Sequence, residues 1–126
     1  MMKYILIPTL LFFLGCSHSI SRIGYVPNTV SNPCAPIFKY AANLGQTPVT
    51  KIGAIKLGDT GFSVNCNKTD AMAILLRESC SIGADMIIIV EEKEPGLIST
   101  CYRVEADFVR LNDPKMKATL QSDDLQ

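Results

Sequence analysis

The chain has 126 residues with 12 basic and 12 acidic side chains, so it carries no formal net charge, and only 19% of its residues are charged. That length supports one domain, and the neutral balance excludes a nucleic-acid binder, which needs a basic face for phosphates. Trp is absent and 4 Tyr and 5 Phe are the only aromatics, too few for a platform on which bases would stack.

Residues 1–16 read MMKYILIPTLLFFLGC. Lys3 supplies a positive start, Tyr4 to Leu14 an apolar run, and Gly15 a small residue before Cys16, the layout of an export signal. The run is too short to cross about 30 Å of hydrocarbon as a helix. Phe13-Leu14-Gly15-Cys16 resembles the bacterial lipobox, with Phe13 in place of the usual Leu and Leu14 in place of a smaller residue. The resemblance implies that residues 1–15 are removed and that Cys16 carries acyl chains, enough for stable anchoring. Ser17 follows the cysteine; by resemblance to lipoprotein sorting, the lack of Asp there implies the outer membrane. Residues 16–33, rich in Ser, Asn and Pro, show no helical or strand period and read as a lipidated, flexible tether.

The stretch 34–111 carries the domain. Pro36 to Ala41 and Val49 to Leu57 have the composition of two short strands joined by a turn with Gly45 and Pro48. Asn67 is placed to cap a helix starting near Lys68, with Asp70 in its first turn. Met72, Leu75, Leu76, Ser79 and Ile82 give that helix an inward stripe, and Gly83 ends it. Met86 to Val90 is a continuous apolar run, the pattern of a strand covered on both faces. Glu94-Pro95-Gly96-Leu97 suits a type II turn. Beyond Thr100, Tyr102, Val104, Ala106 and Phe108 alternate with Arg103, Glu105 and Asp107. Residues 112–126 open with Asn-Asp-Pro and read as a disordered, solvated tail. The fold class expected is α+β, ordered β-β-α-β-β, with one helix packed on a mixed sheet of three to four strands. The helix should link strands two and three as parallel neighbours, and the last two strands should form a hairpin.

Five cysteines stand at 16, 34, 66, 80 and 101. With Cys16 taken by lipid, four remain, an even number suited to an oxidising compartment. The gaps are long and no C-x-x-C occurs, which speaks against structural zinc or a redox dithiol. Cys66 follows strand two and Cys101 opens strand four, so the topology brings them to one sheet edge and predicts a Cys66–Cys101 disulfide. Cys80 lies on the order of 20 Å from Cys66 along the helix. Cys80 either pairs with Cys34 or serves as a small buried apolar residue.

Little in the chain points to catalysis. Asp59-Thr60-Gly61 has the aspartic-protease triplet without a second copy or the apolar strand that leads into it, and a tight turn accounts for it. His18 is the sole histidine and falls in the expected tether, so no Ser-His-Asp or Cys-His arrangement is expected within the domain. Glu91, Glu92, Glu94 and Asp107 have the oxygens for a hard cation, but charges at a strand end and hairpin are ordinarily solvated. No metal site, cofactor or enzymatic activity is expected. Arg103, Glu105 and Asp107 form either a polar docking face or an exposed sheet face with cross-strand ion pairs.

The segment from Ile52-Gly53-x-Ile55 through Cys66, Ile82-Gly83-Ala84-Asp85 and the Ile run to Ser99-Thr100-Cys101-Tyr102-Arg103 resembles small bacterial lipoproteins with a helix-Gly-Ala-Asn/Asp-strand core. It also resembles, weakly, the outer-membrane stress-sensor lipoprotein of the Rcs phosphorelay, from which it departs in a shorter tether and a different cysteine spacing. The resemblance implies a non-catalytic domain, held in the envelope through its N-terminal lipid, that works through contacts with another envelope protein. A small-ligand or metal-binding envelope lipoprotein is the alternative, separated from the first by whether Cys34 and Cys80 are free.

Overall fold

The structure, a computed structural model, describes residues 18–27, 34–59, 66–97 and 99–123. The expected signal, residues 1–15, and Cys16 lie outside the described residues. Strands β1 (Ser19–Ile23), β2 (Ile37–Tyr40), β3 (Val49–Gly58), β4 (Met86–Lys93) and β5 (Arg103–Leu111) form one mixed sheet, with helices α1 (Lys68–Ser81) and α2 (Met116–Asp123). The α+β class is as expected, with a helix packed on the sheet and two disulfides. The sheet has five strands, one more than the upper expectation, in the order β1-β3-β5-β4-β2.

The hairpin β4–β5 forms as expected, with Ile87 opposite Phe108 and Lys93 opposite Arg103. Strands β3 and β4 run in the same direction but are not neighbours, because β5 lies between them and pairs antiparallel with both. β5 satisfies its backbone on both edges in this way. β2 does not pair with β3 either; it runs parallel to β4 at the far edge, Ile37 beside Met86.

Two segments read as irregular from the sequence are ordered. Ser19 to Ile23, assigned to the tether, pairs antiparallel with β3, Ser19 opposite Gly58 and Ile23 opposite Ala54. Met116 to Asp123, assigned to the tail, is helix α2, and its Met116 and Leu120 close the lower part of the second core. Both were obscured for the same reason: one or two apolar residues among Ser, Lys and Gln make a weak period, and packing against the sheet supplies the rest.

Alternation along the strands makes two cores. On one face Ile55, Leu57, Ile87, Ile89, Tyr102, Val104 and Phe108 pack under α1. On the other, Ile37, Met86, Ile88, Val109 and Leu111 are covered by Leu120, with Leu44 and Met116 at the margin. Asn67 caps α1, its Oδ1 accepting from the Asp70 amide at 2.8 Å, and Gly83 leaves the helix at φ 73°. The inward stripe of α1 is Ala71, Ile74, Leu75, Glu78 and Ser79. Leu76, expected inward, is exposed, and Glu78 takes the neighbouring inward position.

The disulfides brace opposite ends of α1. Cys66–Cys101 joins its start to the start of β5, Cα to Cα 4.9 Å. Cys34–Cys80 ties its last turn to the segment before β2, 5.7 Å apart, which resolves the open alternative for Cys80. The loops closed span 35 and 46 residues, each worth about 4 kcal/mol in the chain-entropy model. Replacing Cys34 and Cys80 together by Ala should lower the unfolding free energy by about 3–4 kcal/mol in urea titrations, and replacing Cys66 and Cys101 by a similar amount. Unchanged urea midpoints for both pairs would remove this account of the domain's stability.

Candidate functional site

One end of the sheet gathers most of the chemistry. There β1 begins, β3 and β4 end and β5 begins, and the Cys66–Cys101 disulfide closes the corner, with the Tyr102 amide donating to the Cys66 carbonyl at 2.9 Å. This end, where the chain enters the fold, is the entry pole.

His18 stands at it. The sequence put this residue in a mobile tether; instead it is 4% exposed, and its Nε2 lies 2.7 Å from the Tyr102 carbonyl. A carbonyl only accepts, so Nε2 carries the proton, and the buried Nδ1 has no partner among the described residues. The following residues are sewn in as firmly. Arg22 grips Glu78 of α1 with two bonds, Nε to Oε2 and Nη2 to Oε1, both 2.7 Å. The Tyr25 hydroxyl donates to the same carboxylate at 3.1 Å, its ring lies 5.9 Å from that of Phe108, and the Val26 amide donates to the Ile52 carbonyl at 2.7 Å. Gly53 permits this: a Cβ there would stand 2.8 Å from Tyr25 Cδ1. The Arg22 guanidinium holds the Glu78 carboxyl below the usual carboxylate range, against the opposing effect of burial. Burial first, then Glu78, raises the Tyr25 hydroxyl above its ordinary value.

On the α1 face of the entry pole, the buried Tyr102 hydroxyl donates to Glu92. Lys68 sits 3.7 Å from Glu92 and 5.5 Å from the Tyr102 ring centroid. The Tyr102 bond is the main cause holding the Glu92 carboxyl low, and burial is the main cause raising the Tyr102 hydroxyl. Asp59 accepts from Ser99 Oγ at 2.5 Å, while Thr60 and Gly61 of the acidic triplet lie outside the described residues.

The opposite face splits in two. Its lower half is the second core. Its upper half holds Arg103, Glu105 and Asp107 in a row, as the alternation required. Glu105 is paired with Lys56 at 2.7 Å and Asp107 with Lys51 at 2.9 Å, both across to β3. Glu91 stands directly opposite Glu105 on β4, and Lys93 reaches Glu91 at 3.3 Å. Arg103 faces Lys93 across the ladder, and its buried Nε has no hydrogen-bond partner. An open cavity of about 150 Å³ lies here, lined by Lys56, Gly58, Glu91, Lys93, Arg103 and Glu105.

The carboxylates considered for a cation do not converge. Glu91 and Asp107 lie on the charged face, Glu92 turns to Tyr102 on the other, and Glu94 is exposed in the hairpin loop. No group of three or more metal-ligating side chains occurs among the described residues, and no helix among them is long and apolar enough to cross a membrane. No protein-family model matches the chain, and neither does any curated protein or solved structure.

Sequence reasoning missed His18, Arg22, Tyr25 and Glu78. A usable signal was present in Glu78, a carboxylate three and four residues from Leu75 and Ile74, on the apolar stripe. Glu78→Gln should cost about 1–2 kcal/mol at neutral pH, the order of a charged hydrogen bond. Because the folded carboxyl titrates below its ordinary value, its stabilisation is complete above the ordinary carboxylate range and is lost as pH falls through the lower folded value. The stability gap between wild type and Glu78→Gln, followed by urea denaturation, should therefore be widest at neutral pH and close in acid; a pH-independent gap contradicts the ion pair.

Proposed function

We propose that the protein is a lipid-anchored envelope lipoprotein of the outer membrane, facing the periplasm, and that its domain is a non-catalytic interaction module held close against the bilayer. The observation that carries this reading is the ordered start of the fold. Cys16 stands two residues before His18, and two residues span about 7 Å at most. With His18 buried on Tyr102 and β1 paired to β3, an acylated Cys16 leaves the domain no slack: its entry pole rides on the headgroups.

The way the reactive side chains are engaged supports a non-catalytic reading. Cys34, Cys66, Cys80 and Cys101 are all in disulfides, and the only histidine is buried on a backbone carbonyl. The same disulfides take these four thiols away from the alternative reading of a small-ligand or metal-binding envelope lipoprotein. The charged half-face above α2, with Lys51, Lys56, Glu105 and Asp107, is the surface available to an envelope partner. Ion pairs of this exposed kind contribute little to stability and suit register and selectivity toward a partner.

Two measurements test the proposal. Metabolic labelling with palmitate should mark the wild-type chain and not Cys16→Ser, and the label should fractionate with outer membranes. Photo-crosslinkers at Lys51 and Asp107 should trap one envelope protein from intact cells, with the adduct reduced by charge reversal at Glu105. An unlabelled, freely soluble wild-type chain would sink the anchoring, and crosslinks unaffected by charge reversal would sink the docking face.

A further inference from the structure

The charged half-face contains one charge that its neighbours leave uncompensated. Of the three cations around the cavity, Lys56 is matched by Glu105 at 2.7 Å and Lys93 by Glu91 at 3.3 Å. Arg103 has no ion-pair partner among the described residues, and its Nε is buried without an acceptor. Its cross-strand neighbour is Lys93, a like-charge pairing that costs stability unless an anion sits between the two. On the β3 side the next position is Gly58, one residue beyond the Leu57–Val104 pair, so β3 itself puts no side chain beside Arg103, and the small Ser19 hydroxyl of β1 stands 2.8 Å from where a Gly58 Cβ would lie. The site is therefore one positive charge in excess, with a planar donor fork and room for a group of a few heavy atoms.

We propose that this cavity receives the singly charged phosphodiester of a phospholipid headgroup, with Arg103 as its main donor and Lys93 beside it. A phosphodiester carries the one negative charge that the site lacks. The bilayer is the source for two reasons. The cavity opens at the entry pole, within a few residues of Cys16, so the choice of source rests on the anchoring reading although the binding chemistry does not. Independently, Leu97 in the β4–β5 loop at the same pole is fully exposed, an apolar tip beside two cations, the pairing expected of a surface that rests in an interface. Filling the site would fix how the domain stands on the membrane, with Lys51 and Asp107 turned away from the headgroups.

The test uses the full chain in two arms. In detergent, dimethyl phosphate should saturably shift the backbone amide signals of Gly58 and Glu105. Arg103→Gln should weaken that binding about tenfold, in keeping with a charge-assisted hydrogen bond, and Lys93→Gln should weaken it less. Lys51→Gln, on the same face outside the cavity, should leave it unchanged, and non-reducing peptide mapping checks that each variant keeps both disulfides. In the second arm Leu97→Trp gives the chain a single indole, since it has no Trp of its own. In phosphatidylglycerol vesicles carrying brominated acyl chains that indole should be quenched, and less so when Arg103→Gln is added. No amide shift with dimethyl phosphate overturns the cavity site whether or not the chain is lipidated. A shift in detergent with an unquenched indole in vesicles overturns the lipid source and leaves a soluble diester as ligand. A chain that shows the shift but carries no acyl group overturns the anchoring reading and leaves the site standing.

Discussion

Because β5 is hydrogen-bonded along both edges, to β3 on one side and β4 on the other, its position constrains nearly everything else in the domain. It splits the β3–α1–β4 unit, so the helix must span the position that β5 occupies, and it packs against both β5 and β4. It brings Cys101 to the end of β3, where Cys66 waits. Its alternation then divides the molecule: Val104, Ala106 and Phe108 go under α1, while Arg103, Glu105 and Asp107 go to the other face. The same strand carries the apolar half of that face in Val109 and Leu111. One nine-residue segment therefore sets a core, a second core and a charged surface.

How far this was legible in the sequence depends on range. The strands at Met86 and Thr100 and the helix with its Asn67 cap follow from local pattern, because a strong period or a cap residue acts within a few positions. The strand order was not legible, since insertion of β5 between β3 and β4 is a non-local pairing and a helix crossover between adjacent parallel strands fits the same residues equally well. The disulfide was reached although the neighbour relation assumed for it was wrong: β3 and β4 do end on the same side, whether or not a strand separates them. Glu78 shows a different limit. A carboxylate on an apolar stripe reads as a mistake in the stripe until Arg22 and Tyr25, more than fifty positions earlier in the chain, are placed against it.

That long-range contact also turns a tether into a strand. Taken alone, residues 19–23 are too short and too polar to hold any structure. They become ordered because β3 offers an open edge, because Arg22 finds a nearly buried carboxylate, and because Gly53 leaves room for the Tyr25 ring. The strand in turn covers the β3 edge, which would otherwise present unpaired amides to other chains. Edge protection and attachment of the N-terminal segment are thus one interaction.

The consequence for a surface-anchored protein is geometric. A flexible linker of n residues lets a domain sample a volume that grows with its length, so an anchor through such a linker fixes location and leaves orientation free. On the proposed anchoring, a single residue, Ser17, between the acylated Cys16 and the buried His18 removes that freedom. A domain anchored as we propose meets the bilayer with one pole, and what that pole carries ceases to be ordinary surface. An unpaired Arg103, its like-charged neighbour Lys93 and the bare Leu97 would each be unremarkable on a freely tumbling domain. Under the proposed anchoring the two cations fall within a Debye length of anionic headgroups and become favourable in place of costly, while Leu97 gains an apolar interface. On that reading the charge pattern and the short connection belong to one arrangement, in which the unpaired Arg103 lies toward the proposed anchor and the Lys51–Asp107 pair lies away from it.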